Sequence, residues 1–182
     1  MPTASNVIAG PGTLYAAPSG TTLPTDATSS LGSAFAEIGY TEDGSSFTYE
    51  TTTEAVYVAE SLEAVRNYTT QVTARVTFQM AEASNINLIL ALNQGVTDTT
   101  DPTYDATAAI TPAAPGAEVR IVLVLDSDND SRWVFPVCYQ TGSLEVARRK
   151  APQKTVIPVE FTLETPSSGS LFTCYPNSSG LV

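Results

Sequence analysis

Residues 69–80 read as one long strand, alternating without a break from Val72 onward. Val72, Ala74, Val76, Phe78 and Met80 fall on one side; Thr73, Arg75, Thr77 and Gln79 fall on the other. A period of two predicts a strand half sunk in a core. The apolar run that follows predicts a short helix over residues 85–92, closed by a glycine at Gly95. A sheet with one greasy and one polar, mostly uncharged face has protein behind it and water in front. One short helix covers only part of such a face.

A second alternating strand is predicted over residues 153–164. Thr155, Ile157, Val159, Phe161 and Leu163 oppose Lys154, Val156, Pro158, Glu160, Thr162 and Glu164. Pro158 lacks an N–H, so that side of the strand belongs at a sheet edge or a bulge. Residues 118–125 (EVRIVLVL) and 132–140, joined by an acidic turn, predict a hairpin. Residues 142–147 are expected to continue the sheet. Shorter strands are expected at 13–17 and 35–40, and residues 93–116, with three prolines, read as loop.

Three segments lack a core-building pattern. The first 33 residues, rich in Gly, Pro, Ser, Thr and Ala, read as an arm held down by something else. Residues 41–63 are acidic and threonine-rich, with Asp43-Gly44 as a turn signal. Phe47, Tyr49, Val56, Tyr57 and Val58 punctuate that stretch, which predicts a long, partly hairpin-like excursion. Residues 166–182 form a polar tail with one apolar patch, from Leu171 to Tyr175. No repeat divides the chain, and 182 residues predict a single domain, 1–182, mainly β, with one helix.

Composition narrows the chemistry. There is no histidine, which removes Ser-His-Asp and Cys-His catalysis, His-ligated zinc and imidazole switching. The chain is not expected to be an enzyme, and no cofactor or metal is implied. No apolar run reaches the length of a membrane helix, and no export signal is expected at the N-terminus. Cys138 and Cys174 are too few for a disulfide framework and read as buried thiols.

The net charge of −11 is unevenly spread. No Lys or Arg precedes Arg66, whereas Asp26, Glu37, Glu42, Asp43, Glu50, Glu54, Glu60 and Glu63 all do. Half of the basic residues form one cluster, Arg148, Arg149, Lys150 and Lys154. An acidic end and a basic corner allow copies of the chain to attach to one another.

The remaining motifs are weak. Asp126, Asp128 and Asp130 resemble the start of a calcium loop, but Ser131 and Val137 stand where Gly and Glu are needed. Glu160 and Glu164 share a strand face about 13 Å apart, beyond the span of a glycosidase pair. The sequons at Asn67 and Asn177 read as chance matches, and Gly10-Pro-Gly12 lacks a phosphate-binding lysine. The polar faces of the two long strands suit the wall of a wet channel. The arm and the excursion have no stable place on a monomer, because each leaves edges and aromatics uncovered.

The order of segments resembles the major tail tube protein of long-tailed phages, particularly the non-contractile type. NVIAGPGTLYAAPSGTTLPTD supplies the arm, FAEIGYTEDGSSFTYE opens the long loop, and VTARVTFQMAEASNINLILALNQG gives strand, helix and stop. The resemblance implies a β-sandwich or partial barrel with one short flanking helix, an N-terminal arm (1–33), an inter-subunit loop (41–63) and a C-terminal tail (166–182). It implies hexameric rings stacked into a tube in the virion tail, assembled in the host cytoplasm around a tape measure protein. Tail terminator and tail tip proteins would be further partners, and DNA would pass through the lumen without specific binding. No membrane partner is implied.

Carried onto this chain, the inter-subunit loop includes Thr41, Glu42, Asp43, Gly44, Phe47, Tyr49, Glu50, Glu54, Val56, Tyr57 and Glu60. The lumen candidates are Thr73, Arg75, Thr77, Gln79, Glu160, Thr162 and Glu164. Arg148, Arg149, Lys150 and Lys154 form the expected basic interface corner. The alternatives are a tube protein of a contractile tail or type VI secretion-like device, an adhesive or carbohydrate-binding β-sandwich on a virion, and a carboxylate hydrolase. Trp133, alone in an apolar strand, argues against a carbohydrate platform.

Overall fold

The computed structural model describes residues 12–60, 63–97, 105–127, 131–147, 150 and 153–176. Its elements are β1 (Thr13–Pro18), β2 (Ala36–Glu37), β3 (Thr41–Val56), β4 (Arg66–Met80), α1 (Asn85–Ala91), β5 (Ile121–Asp126), β6 (Ser131–Gln140), β7 (Ile157–Leu163) and β8 (Thr173–Pro176). The strands form one antiparallel sheet in the order β2-β1-β5-β6-β7-β4-β3, with β8 on β6.

The sheet curls on itself. Phe47 of edge strand β3 meets Trp133 and Phe135 of β6, with ring centroids 5.5 and 5.2 Å apart, although β4 and β7 lie between those strands in the sheet. Phe172, just before β8, closes the same aromatic cluster. Inside the curl lie Leu14, Val76, Phe78, Met80, Leu123, Phe135, Ile157 and Phe161. The alternation read for β4 and β7 holds: Ala74, Val76, Phe78 and Met80 are buried, as are Ile157, Val159, Phe161 and Leu163. Val72, on the same side, has run past the body and is exposed.

The run IVLVL in β5 does not alternate because both of its faces are covered. Leu123 points into the curl, while Val122 and Val124 join Ala17 and Val134 in a second core under Leu23, Leu31, Phe35 and Tyr175. Residues 12–33 were expected to be an arm held by something else. Instead they pair with β5 through β1 and lie across the chain's own sheet. A buried guanidinium fixes them. Arg132 donates from Nη1 to the carbonyls of Asp26 (3.1 Å) and Ser29 (2.7 Å), and forks onto Asp126 at 3.3 and 2.7 Å. Asp26 folds the turn by accepting the N–H groups of Thr28 and Ser29 and the Ser29 hydroxyl. Those bonds, the hydroxyl's first, hold its carboxyl down at about 2.

Other expectations need correction. Residues 142–147 form no strand; Thr141 and Gly142 donate to the Glu160 carbonyl, and the chain then leaves the sheet. The strand expected at 35–40 shrinks to Ala36–Glu37, since Gly39 has φ 88° and turns the backbone away. Pro136, inside β6, sits where one residue is gained between the pairs Leu123–Phe135 and Ile121–Cys138. That bulge flips the parity, so Cys138 follows Phe135 into the core. Pro158 meets its expectation. Glu160, two residues on, turns its carbonyl toward Thr141, so the Pro158 nitrogen faces the side where β6 pairing has ended.

Helix α1 starts at Ser84, whose side chain accepts the Asn87 N–H at 3.2 Å. Buried Asn87 donates to the carbonyls of Ile38 (3.1 Å) and Glu82 (2.9 Å), locking the helix to the start of the hairpin. Past its end, Asn93 adopts φ 59° and exchanges two 2.8 Å bonds with the Gln140 backbone.

Phe161 stacks on Phe78 with centroids 5.8 Å apart and is almost fully buried. Phe161→Ala is expected to cost about 3–5 kcal/mol in urea unfolding of the unassembled chain. Tyr57→Ala, on the exposed end of the hairpin, should change it by less than about 0.5 kcal/mol.

Candidate functional site

The excursion expected over residues 41–63 is largely a strand. β3 pairs with β4 from Thr41–Met80 at the base to Val56–Arg66 at the far end. Asp43-Gly44 makes no reversal. Both residues take positive φ, 57° and 77°, and form a two-residue bulge between Glu42–Gln79 and Ser45–Phe78. An insertion of two preserves parity, so the faces before and after it agree.

The base of the hairpin belongs to the body through Phe47, and Tyr49 reaches the Phe172 ring at 5.7 Å. From Thr48 to Glu60 and from Glu63 to Val72, every described residue is exposed. The described part of the arm extends about 30 Å beyond the body, from the rise of a strand. Threonine and valine keep such a ribbon extended by β-propensity even with no layer beneath it. At its end Val56, Tyr57, Val58, Val65 and Tyr68 lie open to solvent, Tyr57 at 64 %. Arg66 lies over the Tyr68 ring at 4.9 Å.

A second feature is the edge itself. β3 ends the sheet, so its outer side pairs with no other strand among the described residues, whereas the opposite edge is the two-residue β2. A long open edge is a template for another strand.

The third feature is the polar face. Cross-strand rows place Thr48, Arg75 and Thr162 side by side, then Ser46, Thr77 and Glu160, with Glu50 beside Thr73 and Glu42 beside Gln79. The lumen candidates of β4 and β7 therefore share one surface, and Glu164 lies just past its end. Its charges are matched. Arg75 Nε stands 3.8 Å from Glu160, and Lys154 pairs with Glu42. Arg120 forks onto Glu164 at 2.9 and 3.1 Å while lying over the Tyr139 ring at 4.6 Å. The carboxylate raises the Arg120 pKa further. Thr141 and Thr162 hydroxyls meet at 2.6 Å.

Sequence reasoning missed Arg120 because its partner is 44 residues away. The missed signal is its position, a single cation inside the apolar run EVRIVLVL. Of the basic corner, Lys150 and Lys154 are exposed, and Arg148 and Arg149 lie outside the described residues. Asp128, Asp130 and Asn177 lie outside them as well, and Asp126 is already engaged by Arg132.

No group of three potential metal ligands occurs among the described residues. Burial pushes the Cys138 and Cys174 thiols above their ordinary range, the opposite of what a nucleophilic thiolate needs.

A protein-family model described as "Phage tail tube protein" matches residues 1–176. Among solved structures, the chain is similar to a chain in the cryo-EM structure of the anti-feeding prophage (AFP) baseplate, 6-fold symmetrised. The identity is 14 %, the TM-score is 0.44, and the match covers 88 % of this chain and 92 % of that one. A likeness this distant carries no argument about function. No curated protein matches the sequence.

Arg75 and Arg120 are held very differently. Arg75→Ala should change stability by less than about 1 kcal/mol, as for an exposed pair. Arg120→Ala, which loses a fork, a carbonyl contact and a ring contact, should lower the urea midpoint several times more.

Proposed function

The chain belongs to the phage tail tube protein family, and on that footing we propose that it is the repeating subunit of a tail tube built from stacked hexameric rings. The observation that carries the proposal is the hairpin: an arm exposed on both faces, rising from an open sheet edge. A two-stranded ribbon is marginal alone in water and gains most from a neighbour. In the proposed ring, the outer edge of β3 accepts a strand of the next subunit, and repetition closes the circle. The arm then couples one copy to another.

The polar face of β3, β4 and β7 is proposed to line the bore, with Thr73, Arg75, Thr77, Gln79, Glu160, Thr162 and Glu164 toward the lumen. Its chemistry supports that reading. Three of those seven are threonines, and the guanidinium or ammonium groups of Arg75, Arg120 and Lys154 each have a carboxylate partner. A phosphate backbone passing such a wall meets no free cation on those three residues to hold it. The role is mechanical and involves no catalytic step. The tube would be assembled in the host cytoplasm around a tape measure protein and finished by terminator and tip proteins, and it would conduct DNA at infection.

The acidic first third of one copy is proposed to meet the basic corner around Lys150 and Lys154 of another. Part of that charge is already used within the chain, since Lys154 holds Glu42. Polymerisation followed by light scattering should therefore slow as salt rises; a rate independent of salt removes this electrostatic contribution.

The arm supplies the decisive test. A cut over all of residues 41–63 would also remove Phe47 from the core, so the useful deletion takes residues 52–71 and joins Thr51 to Val72 through Asn-Gly. The trimmed chain is expected to keep its thermal midpoint and lose tube formation in negative-stain micrographs. Tubes of normal abundance from it would overturn the proposal.

A further inference from the structure

We infer that Phe172 is a positioning residue for assembly: its ring wedges between the body and the root of the β3–β4 hairpin and sets the direction in which the arm leaves. The inference rests on the tube reading, because a fixed direction matters only to an arm that takes part in assembly. It gives a role to the apolar patch from Leu171 to Tyr175 in an otherwise polar C-terminal tail. Phe172 is itself held from behind. The four residues after it form β8, paired with β6 from Val134–Thr173 to Ser131–Pro176, and Leu171 packs on the main core.

The ring faces two ways. Toward the body it stacks on Trp133, with centroids 5.9 Å apart and planes at 22°. Toward the hairpin it makes two edge contacts, 4.9 Å to Phe47 and 5.7 Å to Tyr49. Edge-to-face pairs at such distances attract beyond the area they bury. Phe47 and Tyr49 are two apart on β3, so both rings project from the same face. They depend on Phe172 to different degrees. Phe47 also meets Trp133 and Phe135 directly, so the body retains it without help. Tyr49 is half exposed, and Phe172 is its one ring contact among the described residues. From Glu50 to Glu60 every residue is exposed, which makes Tyr49 the outermost β3 residue with a ring contact to the body.

A ribbon with no layer beneath it takes its direction from its last support. Tyr49 to Val56 spans about 24 Å at the rise of a strand, so a swing of about 10° at Tyr49 moves Val56 by about 4 Å. A well-packed contact tolerates about 0.5 Å. Without Phe172 the support retreats to Phe47, and the root is free to swing. The other tie at the base does not replace it. Asn87 joins Ile38 and Glu82, but the Asp43-Gly44 bulge separates that tie from Tyr49.

Spin labels at Ala55→Cys on the arm and Glu37→Cys on the body, in a Cys174→Ser chain, report the arm's direction before assembly by double electron–electron resonance. Both positions are exposed, and Cys138 stays buried. Phe172→Ala and, from the exposed side of the same contact, Tyr49→Ala should each broaden the distance distribution about twofold, and the double variant no further than either one. Phe172→Tyr, which keeps the ring, should keep the parent width. Leu171→Ala removes core packing but no ring contact to the arm, so it should lower the urea midpoint and leave the width unchanged. Light scattering should show Phe172→Ala assembling about tenfold more slowly than the parent. Unchanged widths in both alanine variants, or equal broadening by Leu171→Ala, would overturn the inference. Broadened widths with assembly at the parent rate would overturn the role in assembly. A parent chain that never assembles would overturn the tube reading and the assembly role with it, while the widths still decide whether Phe172 directs the arm.

Discussion

A strand has two hydrogen-bonding sides, and among the described residues β3 satisfies only the one it shares with β4. Nearly everything else about this chain follows from how far that half-paired strand extends. Its first half is anchored because Phe47 drops onto Trp133 and Phe135, which bends the sheet into a curl and creates the main core. Its second half has no sheet beneath it. The same strand is thus core wall at one end and projecting arm at the other, and the change occurs near Thr48.

The body that carries the arm is tied together at several points within the chain. Residues 19–35 cover the second apolar face of β5, held by a guanidinium that reads two carbonyls and a carboxylate at once. Burying Arg132 is tolerable because its fork finds partners, which is the condition for burying any charge. The helix is tied at both ends by asparagine amides rather than by apolar contact alone. A body fixed at so many points can present the outer half of the hairpin without drawing on it for its own packing. This separation of folding from assembly suits a subunit made in many copies.

Charge follows the same division. On the polar face the basic groups are spent on nearby carboxylates, leaving a surface rich in hydroxyls and poor in free cations. On the arm, Glu50, Glu54 and Glu60 make no ion pair among the described residues. A net charge of −11 keeps separate copies soluble and opposes close approach. In the proposed tube, association of copies would therefore draw on edge pairing and apolar contact.

The sequence by itself determined whatever depends on neighbours a few residues apart. The alternation of residues 72–80 and 157–163, the β5–β6 hairpin, the short helix and the placing of Pro158 were all legible, because period and proline's missing N–H are local. Parity within a strand also assigned Thr73, Arg75, Thr77 and Gln79 to one common face. Only the tertiary structure decided the remainder. Asp43-Gly44 carries the residues of a turn but became a bulge, because Phe47 and the β4 ladder hold the chain in line on both sides of it. Residues 142–147 were denied a strand, and β5 was buried on both faces, by elements distant in sequence. Arg120 found Glu164 across 44 residues. Pairings of that kind depend on which strands the curl brings together, and local pattern does not encode them.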